Sequence, residues 1–187
     1  MTYGDSSGAS APRSMAGSAV GDPFGGFRMS STQIGAAGEA DVANALMRAS
    51  NGRFSPFRPM CDDDGIDMLV FDKLTRACLP LQIKTRTATD PATRGTVQFD
   101  VRRATCSRDG DTLLLCVLLN ADRISACWLI PVGDLESVAR NAGDKLVLTP
   151  SASHHSQDRY ASYRHHSMAG VAHALAGQFG DLGQESL

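Results

Sequence analysis

The sequence lacks long hydrophobic runs and a strong net charge. No stretch approaches the roughly 20 apolar residues that a transmembrane helix needs, so no membrane association is expected. The formal net charge is -2 over 187 residues, which argues against a globally basic surface. Local basic patches remain compatible with that balance, and they matter more for phosphate binding than the total does.

Paired cysteines are also missing. The chain has five cysteines, an odd number, and none of them forms a Cys-x-x-Cys motif. They are Cys61, Cys78, Cys106, Cys116 and Cys127. This pattern disfavours a zinc site and indicates reduced thiols. The N-terminus is rich in Gly, Ser and Ala without a continuous apolar core, so we expect no signal peptide and a cytoplasmic location.

The chain has the length of one domain with a sizeable core. Low complexity over residues 1–30 predicts a disordered N-terminal tail, followed by a single domain over 31–180 and a C-terminal tail over 181–187. We find no internal repeat, helix-turn-helix pattern, zinc finger or helicase motif that would name a mode of recognition.

The hydrophobic periodicity predicts a helix, several strands, a helix, a strand and a closing helix. The predicted helices cover 31–49, 135–141 and 168–179, and the predicted strands cover 66–72, 78–86, 97–101, 112–119, 124–132 and 145–149. The run at 112–119 is continuously apolar, as in strands covered on both faces. This order favours an α/β fold with a central mixed sheet flanked by helices.

Three polar residues interrupt the apolar strands of the first predicted hairpin. Asp67 opens one strand, and Gln82 and Lys84 lie on one face of the next because strand side chains alternate. If the strands pair so that Asp67 meets the other two, the three groups converge, and Glu39 can reach them from the first helix. Buried polar groups need partners, which favours a functional site.

Such a cluster suits Mg²⁺, which prefers oxygen ligands in octahedral geometry. Asp67 is the expected main ligand, with the side-chain oxygen of Gln82, the backbone carbonyl of Ile83 and the Glu39 carboxylate as further ligands. Lys84 is expected to orient the attacking water and to offset charge on a phosphate. Simpler alternatives stay open at this point: Asp67 and Lys84 can form an ordinary cross-strand ion pair, and Glu39 can be a surface residue.

The combination resembles the PD-(D/E)XK nuclease superfamily, the restriction-endonuclease-like enzymes, in the variant where Gln replaces the second acid. The segments that carry the resemblance are 34–40, 65–70 and 81–86, and it extends over about 31–132. It implies an αβββαβ core, Mg²⁺ dependence with Mn²⁺ as a substitute, and hydrolysis of phosphodiester bonds in DNA, with RNA left open. Asp67, Gln82, Lys84 and Glu39 would be the catalytic residues.

Two departures from the simplest family pattern matter. No proline precedes Asp67, and the neutral Gln82 lowers the charge of the ligand set, so Glu39 becomes more important for activity. A catalytically inactive nucleic-acid-binding module of the same fold is therefore the alternative. A homodimer is also expected, because cutting two strands favours two active sites.

Other polar clusters have a functional and an ordinary interpretation. Arg86, Arg102 and Arg103 follow the predicted site and are candidates for phosphate contacts, although arginines on surface strands are common. The run 62–64 of three aspartates is interpreted as a solvated turn rather than a second metal site. The His-His pairs at 154–155 and 165–166 are interpreted as solvated loop, and Tyr160 and Tyr163 as surface residues or nucleic-acid contacts.

Overall fold

The computed structural model describes residues 28–61, 65–88, 95–106, 111–120 and 123–185. Most of the predicted N-terminal tail, 1–27, lies outside these ranges. The first helix, α1, spans Ser31–Ala49. Its N-cap is Ser30, whose side chain accepts a hydrogen bond from the backbone of Gln33, while the Gln33 side chain accepts one from the Ser30 backbone. Val42 and Leu46 from the predicted apolar stripe are fully buried.

The predicted hairpin is confirmed. Strand β1 (Phe54–Phe57) pairs antiparallel with β2 (Met68–Asp72), and β2 pairs antiparallel with β3 (Cys78–Thr87). The register places Met68 opposite Leu81. Met68 and Leu81 point to one face of the sheet. Because side chains alternate, Asp67 before Met68 and Gln82 after Leu81 then share the other face.

The central sheet is mixed. Strand β5 (Leu113–Asn120) runs parallel to β3, and β6 (Arg123–Pro131) runs antiparallel to β5. A short strand β9 (Arg164–His165) closes the order β1-β2-β3-β5-β6-β9. As predicted from its apolar run, β5 is buried along nearly its whole length.

The strand predicted over 97–101 does not join the central sheet, although it follows the hairpin in the chain. Strand β4 (Phe99–Arg102) pairs with β8 (Lys145–Leu148), which pairs with β7 (Arg140–Ala142), and these form a separate three-stranded sheet. Alternation in the sequence predicts a half-covered strand but does not say which strand it pairs with. The predicted helix over 135–141 is accordingly short: α2 covers Leu135–Val138 and gives way to β7.

Two hydrophobic clusters lie on the two faces of the central sheet. One joins α1 and the closing helix α3 (Met168–Glu185) to residues such as Leu81 and Ile83. The other joins the small sheet and α2 to residues such as Leu114 and Trp128. Helices therefore cover one face, while a small sheet and a short helix cover the other. Helix α3 also continues into the segment 181–187 that was predicted as a tail.

Two further features bear on the sequence predictions. All five cysteines fall within the described ranges as free thiols, with Cys116 and Cys127 buried. Burial raises the pKa of the Cys127 thiol to about 12, so this thiol stays protonated in the folded protein. In the part of the chain that the structure describes, no helix is long and apolar enough to cross a membrane.

Candidate functional site

Asp67, directly before β2, is held against the neighbouring strand β3. Its backbone N–H donates to the Leu81 carbonyl at 2.9 Å, and its carboxylate Oδ2 accepts from the Ile83 backbone N–H at 2.6 Å. The Lys84 ammonium lies 3.7 Å from the same oxygen. The register of the hairpin therefore brings Asp67 and Lys84 together as the sequence predicted. It also produces the cross-strand ion pair that was the simpler interpretation.

The side chain of Gln82 is buried beside this pair and has a defined orientation. Its Nε2 donates to Thr105 Oγ1 at 3.0 Å, and the Thr105 hydroxyl in turn donates to the Arg102 carbonyl at 3.0 Å. Since the only hydroxyl hydrogen of Thr105 is used in that bond, Thr105 must accept from Gln82, and the amide nitrogen faces it. Gln82 Oε1 consequently points elsewhere and has no hydrogen-bond partner among the described residues.

Gly65 permits the close packing around this amide. Its φ is +70°, a left-handed conformation that L side chains rarely adopt. A Cβ at this position would lie 2.4 Å from the Thr105 carbonyl oxygen and 3.0 Å from Gln82 Nε2. The glycine therefore lets the chain before β2 pass directly over the contact between Gln82 and Thr105.

Helix α1 places Glu39 at the edge of the same site. Gly38 packs so closely on β3 that a Cβ there would lie 2.3 Å from Thr85 Oγ1. The Glu39 carboxylate accepts a hydrogen bond from Arg58. Partial burial raises the pKa of Glu39, the charge of Asp67 adds to this, and Arg58 and Lys84 oppose it. Two carboxylates thus approach each other closely enough to interact.

The donor set fits a divalent cation bound by oxygen. Asp67 and Glu39 supply carboxylates that repel each other, and Gln82 Oε1 is a buried acceptor with no donor in the described residues. Leaving such an acceptor unsatisfied costs free energy that a bound cation would recover. The set is nonetheless small: in the described ranges, no three His, Cys, Asp or Glu side chains group so as to hold a metal ion. An amide must supply the third side-chain oxygen.

The remaining predicted site residues differ in whether they are exposed and whether they already have a partner. Ile83 lies between Gln82 and Lys84 with its side chain in the core. Arg86 is exposed, and its Nε donates to the Gln98 carbonyl at 2.9 Å. Arg102 is exposed as well. Arg103 is half-buried and forms an ion pair with Glu136, so its guanidinium is already engaged.

The other clusters from the sequence do not join this site. The aspartates at 62–64 lie outside the described residues. His154 and His166 come together, with their Nδ1 atoms 2.9 Å apart, but in a separate part of the structure near β9. Both interpretations of Tyr160, as a surface residue and as a nucleic-acid contact, are wrong, because this residue is 4% exposed and its hydroxyl donates to the Val138 carbonyl. Tyr163 donates to the Asp134 carboxylate.

Three residues of the site were not found by the sequence reasoning. Thr105 orients Gln82, Arg58 pairs with Glu39, and Gly65 makes room for the buried amide. The only sequence signal was the glycine directly before the Ile-Asp pair, since Gly favours positions that need a positive φ. Thr105 and Arg58 reach the site through contacts distant in sequence, which no local pattern encodes.

These elements define a restriction-endonuclease-like α/β fold, with helices on one face of a mixed sheet and the polar cluster at its hairpin. The fold class predicted from the sequence is confirmed. Among solved structures, the chain is similar to the bacterial homing endonuclease I-Ssp6803I, with 20% identity and a TM-score of 0.53 over 86% of this chain and 100% of that one.

A second similar structure is that of Hjc, a Holliday junction resolvase from Archaeoglobus fulgidus, with 15% identity and a TM-score of 0.46 over 74% of this chain and 95% of that chain. No protein-family model matches the sequence, and no curated protein sequence matches it. At these identities, the similarity to I-Ssp6803I establishes the fold.

Proposed function

We propose that this protein is a Mg²⁺-dependent endonuclease that hydrolyses phosphodiester bonds in DNA, with Mn²⁺ as a substitute metal. The observation that carries the proposal is the contact between the Asp67 carboxylate and the Lys84 ammonium at one end of the hairpin, on the same face as the buried Gln82 side chain, whose Oε1 has no partner among the described residues. DNA is proposed as the substrate because a homing endonuclease shares the fold.

In this proposal, Asp67, Gln82 and Glu39 would hold the metal, together with the backbone carbonyl of Ile83. A bound divalent cation would supply Lewis-acid polarisation of the scissile phosphate. The Lys84 ammonium, 3.7 Å from Asp67 Oδ2, would donate hydrogen bonds to the attacking water and to the phosphate. The hydrogen bond from the Ile83 N–H keeps the Asp67 carboxylate in place. Thr105 accepts from Gln82 Nε2, so the Gln82 Oε1 atom faces away from Thr105.

One observation favours the alternative, a nucleic-acid-binding module without cleavage. Each acidic residue of the site already has a basic partner, since Asp67 pairs with Lys84 and Glu39 pairs with Arg58. A neutral amide at 82 adds no charge to draw a cation away from those partners. A direct titration with Mn²⁺ separates the two functions, because the module would not bind the ion tightly.

The decisive test is cleavage of supercoiled plasmid, linear duplex and single-stranded DNA in Mg²⁺ or Mn²⁺. We expect wild-type cleavage to disappear in EDTA and to fall by about 10²-fold or more in Lys84→Ala, the size of effect seen when a charge-stabilising donor is removed. Lys73→Ala is the matched control, because Lys73 is exposed in the turn between β2 and β3 and its ammonium donates to the Gly52 carbonyl, away from the candidate site.

Retained cleavage in Lys84→Ala would show that the proposed site does not carry out the reaction. Failure of the wild type to cut any of these DNA forms, or branched DNA and RNA tried next, would favour the binding module. Unchanged cleavage in Lys73→Ala would show that loss of a lysine charge alone does not explain the effect at Lys84.

A further inference from the structure

The small sheet presents one face to the core and one face outward. Its inward residues alternate along the strands and belong to the second hydrophobic cluster. They are Phe99 and Val101 of β4 and Leu146 and Leu148 of β8. The residues between them, Asp100 and Val147, therefore lie on the outer face, although Val147 is also buried.

Three cations share that outer face. Arg102 lies directly opposite Lys145 in the pairing of β4 with β8. Arg140 lies opposite Val147, the residue two positions after Lys145, and is the diagonal neighbour of that lysine. Arg102 and Arg140 are exposed and Lys145 is half-buried. We name these three residues the basic face.

The arrangement costs stability in the isolated protein. Like charges directly opposite on neighbouring strands repel each other. None of the three side chains makes an ion pair or hydrogen bond with the described residues. Asp100 lies on the same face opposite Val147, and its carboxylate, which accepts from Gln98 Nε2 at 2.8 Å, offsets only part of the repulsion among the three cations. A polyanion would relieve this repulsion.

The basic face begins next to the candidate active site. The Arg102 carbonyl accepts from Thr105, whose hydroxyl oxygen accepts from Gln82. The bond from Arg86 to the Gln98 carbonyl holds the other end of this segment near β3. Strand β4, the first strand of the small sheet, is therefore held close to β3 at both ends. The small sheet begins beside the polar cluster.

We propose that the basic face binds the phosphate backbone of double-stranded DNA beside the phosphate to be cut. The three strands lie about 4.8 Å apart, so the cations span about 10 Å, a length that covers successive phosphates. The outer face described above has no aromatic side chain on which unpaired bases would stack, which favours a duplex over a single strand. Such contacts position the duplex without reading its sequence.

This inference rests on the proposed function, but it is tested without cleavage. Fluorescently labelled duplex is titrated with protein in EDTA over a series of salt concentrations. The test variant combines Arg102→Gln, Arg140→Gln and Lys145→Gln. The control variant combines Arg48→Gln, Arg123→Gln and Arg159→Gln, which removes the same charge from exposed positions on α1, on β6 and before Tyr160.

We expect the test variant to bind duplex at least about tenfold more weakly at 0.1 M salt and its salt slope to fall by about 2 to 3. The control variant should stay within about twofold of the wild type. Equal losses in both variants, no loss in the test variant, or no wild-type binding to duplex would overturn the inference. Tighter wild-type binding to single-stranded DNA or to RNA duplex would overturn the choice of partner.

The two proposals can fail separately. Binding that depends on the basic face in a protein that cuts no substrate would keep this inference and reject the endonuclease. Cleavage by a protein whose binding to duplex does not depend on the three cations would keep the endonuclease and reject this inference. Thermal unfolding of both triple variants checks that they fold, and relief of repulsion should leave the test variant at least as stable as the wild type.

Discussion

At the scale of single residues, the side chain at position 82 has the largest bearing on the proposed metal site. Its amide nitrogen is satisfied by Thr105, while its oxygen is buried without a donor among the described residues. A glutamate in its place would add the acid that the family pattern contains. It would also bring a negative charge near Asp67 and lose the N–H that Thr105 accepts.

We therefore predict that Gln82→Glu lowers the unfolding temperature in EDTA and gains more stability than the wild type from Mn²⁺ or Mg²⁺. The physical reason is linkage, since a cation that binds the folded state more tightly raises its stability further. Differential scanning fluorimetry over a metal series measures this. Gln157→Glu, at an exposed position, is the control and should respond like the wild type. An equal metal response in Gln82→Glu would contradict the proposed ligand role.

At the scale of elements, the site depends on how closely α1 approaches β3. Gly38 packs directly against Thr85 of β3, which is β-branched and has little freedom to move. Glu39 follows directly in the helix, so any displacement of α1 also displaces this carboxylate. The same helix contains Gly35, where a Cβ would meet nothing within 4 Å.

These two glycines give a matched pair of variants. We expect Gly38→Ala to lower the free energy of unfolding by about 1–3 kcal/mol, because overpacking outweighs the gain in helix propensity. Gly35→Ala should raise it by up to about 1 kcal/mol, since only the propensity changes there. Urea unfolding followed by circular dichroism measures both. Stabilisation by both substitutions would show that α1 can move away from β3 at little cost.

At the scale of the whole molecule, two hydrophobic cores and an ion pair at the turn of the hairpin contribute to stability. Asp72 is fully buried and accepts two hydrogen bonds of 2.7 Å from Arg53. It also accepts hydrogen bonds from Thr75 Oγ1 and from the Leu74 backbone. The Arg53 hydrogen bonds are the main reason that the pKa of Asp72 lies well below its ordinary value of 3.8.

This shift predicts how stability depends on pH. Because the pKa of Asp72 is lower in the folded state, its contribution is present above the unfolded pKa near 4 and is lost as the pH falls below it. We expect Asp72→Asn to cost about 2 kcal/mol at pH 7 and less at pH 3. Urea unfolding at both pH values measures this. Asp41→Asn, exposed on α1, should change stability by less than about 0.5 kcal/mol. A cost that does not change with pH would contradict the assignment.

Other whole-molecule properties stay predictions. The homodimer was expected from the need to cut two strands, and the interface is not part of the structure described above. The cytoplasmic location was expected from the N-terminal composition and the cysteine pattern. The basic face and the candidate site both belong to one chain, so the DNA binding proposed above does not depend on the dimer.

The sequence by itself determined the hairpin and which of its polar residues lie together. Alternation fixed that Gln82 and Lys84 share a face, and the short turn between apolar strands fixed the antiparallel pairing that brings Asp67 to them. Local rules suffice there because register and face follow from spacing within about twenty residues. The same rules predicted the buried strand β5, whose apolar run needs cover on both faces.

Only the tertiary structure decided how the site is completed. Thr105 orients the Gln82 amide across 23 positions of sequence, and Arg58 reaches Glu39 across 19. The pairing of β4 with β8 placed Arg102 beside Lys145, far from each other in the chain. These contacts depend on the packing of whole elements against one another, and the free energy of that packing is summed over the core rather than encoded in any short pattern.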